Sequence, residues 1–272
     1  MIVIKRLEFS YKLSAFYSSP ITDHRFYFRF LPQDNARQKI EQTDIFIANC
    51  HKYDILTDAY GNKMISGYIG MQHARFDLTM TGSVITGIDI FEHYSETGNE
   101  VAAFRSQTAL TEPGEELLRL YNETGLDKAR SAYEAAVYLT DNLQSIFRYS
   151  SGATISGESA ESAFRKGGGV CQDYAHIMLS LLRRRGIAAR YTAGMLMGEG
   201  ASHAWVEVFC SGYWYGFDPT NRKLVGDEHI KVSSGRDASD CMVISGSMNW
   251  GASQTQQEQT IVREKKTALH RS

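Results

Sequence analysis

The chain has 272 residues, 43% of them hydrophobic and 22% charged, with a formal net charge of -2. That length can bury one large or two smaller cores, and the near-neutral charge argues against nucleic acid or an anionic membrane as partner. The four cysteines, Cys50, Cys171, Cys210 and Cys241, form no Cys-x-x-Cys pair, which argues against a zinc knuckle or a disulfide framework.

Lys5 and Arg6 interrupt the opening Met1–Phe9 run too soon for a secretory apolar core. No stretch reaches the apolar length that spans a membrane. A reducing, cytoplasmic location is therefore expected, and it suits a free thiol. Residues 1–110 read as strands: Phe26, Phe28 and Phe30 alternate with Arg25, Tyr27 and Arg29, and Phe76, Leu78 and Met80 with Asp77 and Thr79. Between these runs, Asp58-Ala-Tyr-Gly-Asn-Lys is a turn signal, with Gly61 or Asn62 suited to positive φ. His24, His51, His73 and His93 lie in this half without metal-ligand spacing.

Near Thr111-Glu-Pro-Gly the period changes from two to 3.6, which sets the expected boundary between a β-rich region over 1–110 and a core over 111–250; a strand with a polar tail is expected over 251–272. Pro113 with Glu112, Glu115 and Glu116 suits a helix start. A second helix is expected from about Asp127, with Ala132, Ala136, Leu143 and Phe147 on its apolar face. Residues 150–169 are rich in Ser and Gly, with a short helix near Glu161 to Phe164.

A triple glycine, Gly167 to Gly169, then leads through Val170 into a helix predicted from Cys171 to Arg185. Tyr174, Ile177, Met178, Leu181 and Leu182 form its apolar face, with Asp173, His176, Ser180, Arg183 and Arg184 opposite. Cys171 thus opens the helix, where free N–H groups and the positive dipole end favour thiolate and can stabilise an oxyanion. The glycines let a substrate backbone approach. A buried structural cysteine is the plainer reading. A phosphate loop would need a Gly-Lys-Ser/Thr or Gly-x-Gly-x-x-Gly pattern, and neither is present.

Beyond a strand over Ile187 to Ala193 and a loop, His203 to Cys210 and Tyr213 to Asp218 read as a hairpin around Ser211-Gly212. With a two-residue turn, Trp205 opposes Asp218, and Asp218 becomes the diagonal neighbour of His203 on one face. A three-residue turn would send it to the other face. Cys171, His203 and Asp218 then form a nucleophile, a base and an orienting carboxylate. An ion pair alone would account for His203 and Asp218 but not for the cysteine. His176 is the competing base, five positions along the helix. Trp205 and Trp214 share the His203 face as cleft or core residues. Glu207, on that face too, reads as a salt-bridge partner. Tyr149 is a candidate hydroxyl donor to an oxyanion. A metal site is not expected from these spacings.

Three runs, Gly-Val-Cys-Gln-Asp-Tyr-Ala-His at 169–176, His-Ala-Trp-Val-Glu-Val at 203–208 and Asp-Pro-Thr-Asn at 218–221, resemble the transglutaminase-like superfamily in order and spacing. The first half, with Arg29-Phe-Leu-Pro and Asp58-x-x-Gly-Asn, is similar to the β-rich region that precedes the core in bacterial members. The resemblance implies a papain-like α+β core, Cys171 as nucleophile, His203 as base and acid, and Asp218 as its partner. Tyr149, Gln172 and Trp205 are then the candidates around the oxyanion and substrate cleft. It implies attack on a peptide or protein amide through a thioester, resolved by water or by an amine. The calcium sites of animal transglutaminases find no match, so no cofactor or metal is implied. Cysteine amide hydrolase leads, transamidase follows, and a non-catalytic binding module retaining the fold is the reading from another class. Loops 150–169, 194–202 and 221–235 are expected to shape the cleft. The first half is expected to gate it, present substrate, mediate homo-oligomerisation, or simply stabilise the core.

Overall fold

The computed structural model describes residues 3–93, 99–150, 157–249 and 252–265. The Lys5–Ile21 strand sets the period of the first half: Leu7, Phe9, Tyr11, Leu13, Ala15 and Tyr17 are buried at alternate positions, as a half-buried strand requires. It pairs with His73–Thr86 on one side and with Gln254–Glu264 on the other, and Gln38–Ile47 and Gly198–Gly200 complete a five-stranded antiparallel sheet. A second sheet, in the order Ile244–Ser247, His24–Phe28, Lys63–Ile69 and Tyr53–Thr57, packs its aromatic face against the first. Tyr11 meets Phe28 and Phe30 at ring-centroid distances of 5.8 and 4.5 Å, and Phe26 meets Phe76 at 4.9 Å. Each such fully buried side chain contributes about 1.5–3 kcal/mol of transfer free energy. The Asp58 turn forms as expected: its Oδ1 accepts the N–H groups of Tyr60 and Asn62, and Gly61 takes φ 80°.

The second half is a layer of helices on a third antiparallel sheet. That sheet runs Lys223–Leu224, Tyr213–Asp218, His203–Cys210, Ala189–Leu196 and His229–Gly235. The first helix spans Glu115–Thr124, and the carboxylate that caps it comes from a distance. Glu161 accepts the N–H groups of Gly114, Glu116 and Leu117 at 3.0–3.1 Å. The next helix spans Ala132–Ile146, starting later than expected from Asp127. Gly125 ends the preceding helix at φ 64°, a single 3-10 turn intervenes, and Ser131 then accepts the Glu134 N–H as N-cap. Ala160–Lys166 is the short helix expected near Glu161.

The architecture is α+β, with the cysteine helix packed on an antiparallel sheet behind a β-rich region. The sequence halves interleave. Phe91–His93 adds to the Tyr213–Asp218 strand, Ile244–Ser247 pairs with His24–Phe28, and Gln254–Glu264 runs the length of Lys5–Ile21. The Met-Gly-Glu-Gly stretch expected as loop contains the short strand Gly198–Gly200, because it finds Thr260–Val262 to pair with. Part of the Ser/Gly-rich stretch, 151–156, the boundary at 250–251 and the polar tail 266–272 lie outside the described residues.

Candidate active site

The cysteine helix, Cys171–Arg184, begins where it does because of Asp173. Its carboxylate accepts the Val170 N–H at 2.8 Å, while the Asp173 N–H returns to the Val170 carbonyl at 3.0 Å, closing the first turn reciprocally. Of the glycines ahead of it, Gly168 and Gly169 make room for the chain itself. Gly167 ends the preceding helix at φ 76°. A Cβ on Gly168 would lie 3.1 Å from the Arg148 carbonyl, in the parallel pair of Arg148–Tyr149 with Gly168–Gly169. A Cβ on Gly169 would meet the Asp173 carboxylate at 2.2 Å.

The helix is buried from Asp173 to Arg183, so Asp173, His176, Ser180 and Arg183, opposite the apolar face, are buried as well. Arg183 satisfies carbonyls of other segments, donating to Phe104 at 3.1 Å and Ala189 at 2.9 Å. His176 accepts the Ala238 N–H on Nε2 at 3.1 Å, and burial pushes its pKa down to about 4. That partner and the absence of any exposed surface remove His176 as the competing base. Cys171, by contrast, is half-exposed at the first position, where helix N–H groups have no intrahelical acceptors.

The hairpin adopts the two-residue turn. Ser211 and Gly212 take φ 50° and 89°, Cys210 opposes Tyr213, and the register runs out to Val206 opposite Phe217. His203 opens one strand, Asp218 closes the other, and His203 Nε2 lies 2.8 Å from Asp218 Oδ2. Cys171 lines the same two clefts as His203 and helps raise its pKa; with Nε2 taken by Asp218, Nδ1 is the nitrogen left to serve the thiol. Burial opposes charge on His203, but Asp218 and Cys171 outweigh it and push its pKa up to about 10. Asp218 is buried too, and its bonds to His203 and a second histidine hold it well below the usual carboxylate range.

That second histidine, His229, is absent from the sequence reading. Its Nε2 lies 3.1 Å from the same Asp218 oxygen. It opens the strand His229–Gly235, which reaches the sheet through Ala189–Leu196, so no hairpin count connects it to Asp218. Asn221 also closes on Asp218, through Nδ2 to Oδ2 at 2.8 Å and its backbone N–H to Oδ1 at 3.1 Å. An aspartate bonded to the chain three residues on is a turn pattern that the Asp-Pro-Thr-Asn run carries in sequence. The ligand atoms of His203, Asp218 and His229 lie within 4.8 Å of one another, the spacing of a metal site, with each Nε2 engaged by the carboxylate.

Two clefts meet at this point. The larger, about 590 Å³, is lined by Val170, Cys171, Gln172, Tyr191, His203 and Tyr149 among others; the smaller, about 350 Å³, shares Tyr149, Cys171, Ser202 and His203. Tyr149 is exposed beside the thiol, in the short strand after the helix rather than at its end. Segment 196–202 forms a wall as expected, and Ala238 to Ile244 forms another that the sequence did not mark. The five-stranded sheet contributes directly: Leu13 and, from the C-terminal strand paired with it, Glu258 line the larger cleft, and Glu258 accepts the backbone N–H and hydroxyl of Ser202, next to His203.

Trp205 is fully buried and does not line either cleft, so its candidacy as a cleft residue is withdrawn. Its face is right, but that face is covered: His229 packs edge-on at 5.4 Å, and the indole fills the space left by Gly194. Trp214 is buried as well, beneath the Arg190 guanidinium at 4.3 Å. Glu207 is the salt-bridge residue expected. It accepts from Arg190 Nε at 2.6 Å and Lys231 Nζ at 2.9 Å and also pairs with Arg37, while Glu92 joins the same three cations.

Residues 121–219 match the family model of the transglutaminase-like superfamily, and residues 7–85 match that of the bacterial transglutaminase-like N-terminal region. A solved structure described as a "Putative Cysteine Protease" from Cytophaga hutchinsonii shares the fold, with a TM-score of 0.79 over 98% of this chain and 93% of that one at 21% identity. An uncharacterized protein of Mycobacterium leprae is 38% identical over 36% of this chain and 38% of its own length. One from Mycobacterium tuberculosis is 33% identical over 40% of each. The chain thus spans about two fifths of the length of these relatives. Among the described residues no helix is long and apolar enough to cross a membrane.

Proposed function

Because the chain belongs to the transglutaminase-like superfamily, we propose that it is a cysteine-dependent hydrolase of amide or peptide bonds, with Cys171 as nucleophile, His203 as base and acid, and Asp218 as the partner that orients His203. The observation that carries this reading is His203, bonded through Nε2 to the Asp218 carboxylate and lining, together with Cys171, both clefts where they meet. With its pKa raised to about 10, His203 already holds the thiol proton on Nδ1, and the sulfur attacks the carbonyl carbon as thiolate. The oxyanion forms beside the first-turn N–H groups of the cysteine helix, with the Tyr149 hydroxyl and the Gln172 side chain as further donors. Collapse expels the amine, which takes the proton from His203. Water, deprotonated by the same nitrogen, then attacks the thioester, releasing the acid and restoring the thiolate–imidazolium pair.

A cleft that continues on both sides of the thiol suits a chain passing through, so a peptide or isopeptide fits better than a small terminal amide. Four free cysteines suit a reducing compartment, the cytoplasm in this reading. Hydrolysis profiled across a peptide and isopeptide library, with Cys171→Ala as blank, tests the proposal. Turnover that the alanine variant retains would sink it. Product joined to an added amine in place of free acid would make the enzyme a transamidase.

A further inference from the structure

We propose that His229 is a positioning residue: it fixes the Asp218 carboxylate so that its Oδ2 faces His203. The proposal rests on the reading of Cys171, His203 and Asp218 as the catalytic set. Asp218 Oδ2 receives His203 Nε2 at 2.8 Å, Asn221 Nδ2 at 2.8 Å and His229 Nε2 at 3.1 Å, and Oδ1 receives the Asn221 N–H. Asn221 stands on the turn that follows Asp218 and moves with it. His229 comes from another strand, so it ties the carboxylate to the frame of the sheet.

The proton that does this is assigned by a second bond. The Gly226 N–H donates to His229 Nδ1 at 3.3 Å, which leaves Nε2 as the protonated nitrogen, aimed at Asp218. Burial pushes the His229 pKa down, so the ring donates while neutral. A cation in its place would repel the charge on His203, 6.1 Å away between ring centroids. Trp205 backs the ring edge-on, and Gly194 makes space for Trp205, since a Cβ there would lie 2.4 Å from the indole. The buried tryptophan thereby acquires a part in the site that its exposure would not suggest.

His229→Gln keeps an N–H donor near the Nε2 position; His229→Asn reaches only the Nδ1 position; His229→Leu keeps neither. The readout is the rate at which iodoacetamide alkylates Cys171 at pH 7, followed by peptide mapping, with thermal melting as the check on folding. The Gln variant is expected within about threefold of the parent, and the Asn and Leu variants slower by about tenfold, the loss of one hydrogen bond to a charged group. A role in packing alone would affect Gln and Asn alike, and that result overturns the proposal, as does an unchanged Leu variant. Should Leu fail to fold, the Gln and Asn pair decides. A parent protein whose Cys171 reacts no faster than free cysteine would overturn the catalytic reading instead.

Discussion

Asp218→Asn takes the charge out of the site while leaving its geometry. All the bonds made to this carboxylate are accepted ones: three N–H groups converge on Oδ2 and one on Oδ1. An asparagine will therefore keep its carbonyl oxygen at the crowded position and turn its NH2 toward the Asn221 N–H, meeting one donor in place of three. The bond to His203 Nε2 survives, and with it the tautomer that leaves Nδ1 for the thiol. What is lost is the anion. A carboxylate in contact shifts a partner by about 1–3 pKa units, each worth about 1.4 kcal/mol. The His203 midpoint should fall by that much from its place at about 10. The value of kcat/KM should fall about 10- to 1000-fold in step. An NMR titration of the His203 Cε1–H, in parent and variant, measures the first quantity directly. A folded variant whose His203 midpoint does not move would refute the assignment of Asp218 as the source of the raised value.

Glu207→Gln leaves Arg37, Arg190 and Lys231 with Glu92 as their one remaining carboxylate in the core. Unfolding in urea should show a loss of about 3–5 kcal/mol, with Cys171 alkylation unchanged if the protein folds. Gly169→Ala drives a methyl group into Asp173 and should cost about 1–3 kcal/mol in the same assay. It should also slow Cys171 alkylation, because the cap that starts the helix is displaced. The pH dependence has two limbs. Burial holds the folded His176 at about 4, below its ordinary 6.5, so the unfolded chain takes up that proton first and the melting temperature should decline from about pH 6.5 toward 4. Asp218 and Glu92 are depressed carboxylates whose stabilisation is present above about pH 4 and lost below it. His203 runs the other way: its stabilisation is complete below pH 6.5 and lost as the pH rises through about 10. Calorimetry across pH 4–10 checks both limbs, and a flat profile would contradict them.

What was legible in sequence is what local geometry decides. Ser211-Gly212 specifies a two-residue turn, the turn specifies the register, and the register brings His203 and Asp218 together. The position of Cys171 at a helix start follows equally from helix periodicity. The remainder depends on contacts between distant segments, for which period and turn chemistry give no signal. His229 reaches Asp218 only because its strand returns to the far side of Ala189–Leu196. Glu161 caps a helix whose first residue is Glu115. The face that carries Trp205 was readable, but whether that face met solvent or another strand was not. The triple glycine shows the same division: its presence marks tight backbone, while the neighbours that require it, Arg148 and Asp173, appear only in the fold.

In this mechanism the acyl group of a substrate passes covalently through the sulfur of Cys171. Acid-quenching the protein during turnover of a peptide anilide, then measuring intact mass and mapping the adduct, tests it directly. Cys210 and Cys241 are buried, and burial pushes both thiols up to about 12, so neither should compete. One acyl group per chain is expected, on the peptide that contains Cys171, and none in Cys171→Ala. Turnover with no adduct on quenched protein from the pre-steady-state burst, or an adduct on another residue, would contradict it.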